Sequence, residues 1–131
     1  EPLYVYLMIA MRQYEDSEYA GFYNVGPDDR SCLTTGELAD LFCTAWGNGA
    51  AWENLCQGGP HEANFLKLDS SRIRNRLGWK PRWQVDEAVV NTAKWYQAWL
   101  AGADMAAFTD RQIREYLVPL FTDNIPRGVL P

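Results

Sequence analysis

The sequence has 131 residues, 47% of them hydrophobic and 22% charged, with a net charge of −5. That length supports one hydrophobic core, and that apolar share argues against disorder. The acidic balance argues against a nucleic-acid partner, which goes with a basic excess.

Leu3 to Met11 reads as a helix that is apolar on all sides, a pattern that calls for burial on more than one face. Another domain or another chain is therefore expected to cover it. The run has nine residues, whereas a bilayer span needs about 20, so no membrane contact is expected. Arg12 to Ser17 turns polar and closes the segment. Gly21 to Gly26 reads as a short strand bounded by glycines, followed by a turn at Pro27-Asp28-Asp29. Thr34 and Glu37 form a capping box that starts a helix carrying Leu38, Leu41, Phe42 and Ala45 on one face. Gly47 stops it.

Ala51 to Leu55 reads as a second short strand, Gly58-Gly59-Pro60 as a loop, and the run around Phe65, Leu66 and Leu68 as a third strand. Asp69 is the expected N-cap of a helix from Ser70 to Leu77, with Gly78 closing it. Trp79 follows, where an apolar residue folds back on the last turn, and Pro81 prevents continuation. The longest periodic pattern runs from Asp86 to Leu100, with Asp86 and Glu87 at its positive end. Thr109 and Gln112 predict a capping box for a last helix bearing Ile113, Tyr116 and Leu117, limited by Pro119. Residues 123–131 read as a loosely held tail.

Little catalytic chemistry is visible. No GxxxxGK[ST] and no GxGxxG opening a helix occurs, and no G-x-S-x-G. No tyrosine is followed four residues later by a lysine. Cys32, Cys43 and Cys56 are widely spaced and odd in number, which argues against a disulfide framework and for thiols in a reducing cytoplasm. His61 is the only histidine. No Cys/His spacing suits zinc, so no metal is expected. No basic stretch precedes an apolar core at the start of the chain, so no signal peptide is read and a cytoplasmic location is expected.

Several stretches, in this order, resemble the extended short-chain dehydrogenases/reductases: Glu1-Pro2-Leu3, Phe22-Tyr23-Asn24-Val25-Gly26-Pro27, Leu68-Asp69-Ser70-Ser71-Arg72, Arg76-Leu77-Gly78-Trp79-Lys80-Pro81, and Trp95-Tyr96. Within that superfamily, His61-Glu62-Ala63 leading to Leu66-Lys67-Leu68-Asp69 resembles the CDP-glucose 4,6-dehydratases. So does Met105-Ala106-Ala107-Phe108-Thr109 with Gln112-Ile113. The resemblance implies a mixed α/β lobe over residues 1–122, with helices around a few short strands, that binds a nucleotide sugar. It implies that the dinucleotide-binding Rossmann domain and its tightly bound NAD lie N-terminal to this chain. In the parent lyase the sugar is oxidised at C4, water leaves across C5–C6, and hydride returns to C6. No catalytic residue is expected here, and no turnover from these residues alone.

Glu62 is the foremost site candidate, because family members carry an acid at this offset that accepts hydrogen bonds from ribose hydroxyls. Two carboxylate oxygens suit two adjacent hydroxyl donors. His61 is the second candidate, touching the same nucleotide or holding the loop. Relatives often place an arginine three residues before the acid, where this chain has Gly59. Lys67, Arg72, Arg74, Arg76, Lys80 and Arg82 supply half of the basic residues. They read as solvated helix charges before they read as a diphosphate cradle. The implied partners are CDP-glucose, the Rossmann domain and further copies in a homo-oligomer. A related epimerase or reductase lobe, and a non-catalytic helical interaction module, are the alternatives.

Overall fold

The computed structural model describes residues 1–55 and 67–122, with side chains through 118. Among the described residues five helices carry the fold: α1 (Pro2–Glu15), α2 (Thr35–Trp46), α3 (Ser71–Leu77), α4 (Val85–Leu100) and α5 (Met105–Thr122). Two single-turn 3-10 helices, Ser17–Tyr19 and Asp29–Ser31, punctuate the connection from α1 to α2.

The core is small and sits where α1, α3 and the segment after α3 meet. Val5, Ile73 and Trp79 are buried, and Tyr4, Met8, Ile9, Tyr23, Val25 and Leu77 pack around them. α3 ends on Gly78 in the left-handed region at φ 65°, and Trp79 folds back into the core as the sequence predicts. A second packing unit is formed by α2 on α4 and α4 on α5. Gln97 Nε2 donates to the Trp46 carbonyl at 2.8 Å, and Gln112 Nε2 to the Asn91 carbonyl at 2.9 Å. Trp95 Nε1 donates to Thr109 Oγ1 at 3.0 Å. Trp46 stacks on Phe42 with ring centroids 5.6 Å apart.

The Thr34–Glu37 capping box is present. Thr34 N donates to Glu37 Oε2 at 2.7 Å and Glu37 N to Thr34 Oγ1 at 3.3 Å. Other termini differ from the sequence reading. Asp69 does not occupy the N-cap position of α3, which falls to Ser70, yet Asp69 Oδ1 still accepts the Ser71 N–H at 2.8 Å. α5 starts four residues before Thr109, because Asp104 Oδ1 accepts the N–H groups of Ala106 and Ala107 at 3.0 and 3.1 Å. A carboxylate at the end of the α4 exit turn captures the helix first. That leaves Thr109 and Gln112 free to tie α5 to α4. α5 also runs through Pro119 to Thr122; a proline there removes one backbone donor without ending the helix.

The helical lobe is as expected, but the short strands are not present as strands among the described residues. Residues 22–28 and 51–55, and 67–70 at the end of the third expected strand, carry no ladder. The first of these segments is held to the last by side chains rather than by paired backbones. Phe65, Leu66, the Gly58-Gly59-Pro60 loop, Cys56 and the tail 123–131 lie outside the described residues.

α1 is apolar and open on one side. Leu3, Leu7, Met11 and Tyr14 are 77%, 67%, 69% and 93% exposed. They recur at helical spacing, opposite the face that carries Val5 and Ile9. The expectation of a helix apolar all round is met, and among the described residues only one of its faces is covered.

Candidate functional site

Glu62 and His61, the two site residues predicted from sequence, lie outside the described residues. What the structure gives is the ground that the following segment stands on. Lys67 pairs with the Asp29 carboxylate. Asn24 Nδ2 donates to the Asp69 carbonyl at 3.3 Å. The Gly26 N–H donates to Ser70 Oγ at 3.0 Å, and Ser70 is buried. Gly26 is required by proximity: a Cβ there would stand 3.2 Å from Leu68 Cβ and 3.4 Å from Ser70 Oγ. Two stretches singled out in the sequence, residues 22–27 and 68–72, are therefore bonded directly to each other.

The start of the chain is anchored to the segment after α3. Glu1 Oε1 accepts the backbone N–H groups of Arg82 and Trp83 at 2.8 and 3.0 Å. The Arg82 guanidinium lies between the rings of Tyr4 and Tyr116, 5.8 and 5.0 Å from their centroids. The Trp83 and Tyr116 rings meet edge to face at 5.0 Å. Burial, and then the Glu1 carboxylate beside it, push the Tyr116 phenol well above its ordinary value. The partnership between Glu1 and the 82–83 backbone was invisible in the sequence. The one available signal was an acid directly before a helix-leading proline.

The basic run is engaged residue by residue. Arg74 Nη1 lies 2.7 Å from Asp28 Oδ1. Arg72 stacks on Tyr23 and Arg76 on Tyr19, at 5.3 and 5.7 Å. Arg76 Nη2 also donates to the Glu18 carbonyl. With Lys67 on Asp29 and Arg82 between tyrosines, five of the six cations have partners among the described residues, and Lys80 is exposed with none among them. This run does not form a ready diphosphate cradle. The Asp69 carboxyl is held below its usual range, first by its hydrogen bonds from Ser71 and then by the nearby positive charges of Lys67 and Arg74.

Two of the concave surfaces are lined by Trp83. One, of about 350 Å³, lies between α4 and α5 and is walled by Trp83, Trp95 and Tyr96 with Asn91, Thr92 and Gln112. The other, of about 280 Å³, lies against the first turn of α1 and the segment after α3. Among the described residues, no group of three or more His, Cys, Asp or Glu side chains could hold a metal ion. No helix there is long and apolar enough to cross a membrane.

No known protein-family profile matches the sequence. The CDP-glucose 4,6-dehydratase of Salmonella typhimurium strain LT2 is 38% identical over 118 residues, which cover 89% of this chain and 33% of that enzyme. The chain thus spans about a third of the length of the curated relative it matches. The motifs that tie Asn24 to Asp69, Gly26 to Ser70 and Trp79 to the core fall in a chain that is, over nearly nine-tenths of its length, similar to a stretch of CDP-glucose 4,6-dehydratase.

Proposed function

We propose that this chain is the nucleotide-sugar-binding lobe of a lyase that dehydrates CDP-glucose to its 4-keto-6-deoxy form, and that it does not turn over substrate alone. The observation that carries the proposal is the 118-residue similarity to a dehydratase three times as long. The joined stretches 22–27 and 68–72 support it, because they build a braced platform on which the segment bearing Glu62 ends.

In this reading Glu62 accepts hydrogen bonds from the ribose hydroxyls, and His61 touches the same nucleotide or fixes the loop. Lys67 and Ser70 hold the chain that leaves it. The open face of α1 packs against the dinucleotide-binding domain, and the enzyme works as a homo-oligomer in deoxysugar biosynthesis. The residues present here do not fit NAD. The sequence has no glycine-rich loop opening a helix, and among the described residues no strand leads into one. In this reading the hydride acceptor is held by residues outside this chain.

The test is to assay the enzyme of which this lobe is proposed to be part against CDP-, dTDP-, UDP- and GDP-hexoses. A 4-keto-6-deoxy product from CDP-glucose alone is expected, and equal turnover of dTDP-glucose overturns the CDP assignment. Glu62→Gln in that enzyme raises KM for CDP-glucose by about tenfold or more, the cost of a lost charged hydrogen bond. An unchanged KM removes Glu62 from the site. In calorimetry the 131-residue chain alone is expected to show no micromolar affinity for CDP, because in this reading its share of the polar groups that fix a ligand is incomplete.

A further inference from the structure

The larger groove, between α4 and α5, is independent of the nucleotide reading. Trp83, Trp95 and Tyr96 wall it, with Thr92 on α4 and Gln112 on α5. None of its lining side chains is charged at neutral pH. At about 350 Å³ it falls at the small end of ligand pockets, roughly 300–1,000 Å³, and it offers a diphosphate no countercharge. The aromatic surface continues outward. The Trp95 and Tyr96 rings meet edge to face at 5.3 Å and those of Tyr96 and Trp99 at 6.5 Å, and Tyr96 and Trp99 are 47% and 55% exposed. Such a row suits an extended segment that carries prolines, which docks in aromatic-lined grooves.

The sequence itself holds a segment of this kind within reach. α4 and α5 run antiparallel, because Trp95 meets Thr109 whereas Asn91 meets Gln112 and Trp83 meets Tyr116. The chain therefore leaves α5 at Thr122 beside the start of α4. From Gln112 to Thr122 the helix advances about 15 Å, at about 1.5 Å per residue. Residues 123–131, which lie outside the described residues, can span up to about 30 Å, enough to turn and return. They open with Asp123-Asn124, turn formers by type, and continue with Ile125-Pro126-Arg127-Gly128-Val129-Leu130-Pro131. Arg127 is the only cation among them. The first turn of α4 presents Asp86 and Glu87, both exposed, so charge draws the segment toward that helix.

We infer that residues 123–131, which the sequence alone reads as loosely held, turn back after α5 and lie extended along this groove. An extended chain advances about 3.1 Å per residue, so about two positions of α4 pass for each residue of the segment. With Pro126 on Trp83, Leu130 comes level with Asn91 and Thr92, in the middle of the groove.

The test is nuclear Overhauser contacts in the full 131-residue chain, uniformly labelled with ¹³C and ¹⁵N. Contacts are expected from Pro126 to the Trp83 ring, and from the Val129 and Leu130 methyls to the Trp95 and Tyr96 rings. An isotope-filtered mixture of labelled and unlabelled chains should show them within one chain. Thr92→Arg, at an exposed position of α4, puts a long charged side chain into the groove and should abolish them. If that variant does not fold, Leu130→Asp, beyond α5, removes the central apolar side chain and should abolish the Val129 contacts. The proposal is overturned by the absence of these contacts, by contacts found only between chains, or by contacts that survive either substitution.

Discussion

Ser70→Ala tests how the platform beneath the candidate site is held. Ser70 is 5% exposed, and its hydroxyl accepts the Gly26 N–H at 3.0 Å. The Gly26 residue is itself buried, so water cannot replace the lost acceptor. Leaving one buried donor unpaired costs about 1–3 kcal/mol. Domains of this kind have about 5–15 kcal/mol of total stability, so the loss is a visible fraction. Urea unfolding followed by tryptophan fluorescence should show a lower midpoint with an unchanged m-value. Hydrogen exchange at the Gly26 amide should rise while exchange inside α4 stays as it was. Ser70→Thr, which keeps a hydroxyl, should recover part of the loss. A midpoint within error of wild type, with the Gly26 amide still protected, refutes the assignment.

Further tests address other parts of the chain. Thr34→Ala removes the acceptor for the Glu37 N–H and should cost about 1 kcal/mol by the same urea assay. The Glu37 carboxyl is held below its usual value by its hydrogen bonds from Thr34. Its contribution is therefore complete above the ordinary carboxylate pKa and is lost as pH falls through the lowered folded value. Glu37→Gln should be less stable than wild type at neutral pH, and the gap should close in acid; a constant gap from pH 7 to pH 2 contradicts this. Ile73→Ala, at 0% exposure, should cost about 2–5 kcal/mol, whereas Leu7→Ala on the open face of α1 should change stability by about 0.5 kcal/mol or less. Sedimentation velocity of the chain alone should show concentration-dependent association through that face. The pair Leu7→Glu and Met11→Glu should abolish it, and a monodisperse monomer refutes it.

Helices were legible in the sequence where the apolar period was long or the cap chemical. α2 starts at Thr34 because threonine and Glu37 satisfy each other's backbone, a purely local matter. α4 and the Gly78 terminus of α3 were equally readable. The first two strands were misread because a β-like composition does not state whether a second backbone lies alongside. Residues 22–26 are extended, but their partners are a serine hydroxyl and a carbonyl more than forty positions away. The start of α5 was misplaced because two capping residues competed, and the earlier, charged one won. Glu1 escaped notice altogether, because its value lies in a backbone turn eighty positions downstream. Glu62 and His61 were named through resemblance rather than through any local rule of folding.

The Arg82 guanidinium clasped between Tyr4 and Tyr116 has a mechanical consequence. The opening and closing helices of the described chain are fastened at one bolt, although neither packs broadly on the other. Pulling on either end should loosen both at once, so the first and last helices should fray together rather than in turn. Any process that seizes one terminus, such as threading into a protease, would meet the resistance of the whole lobe.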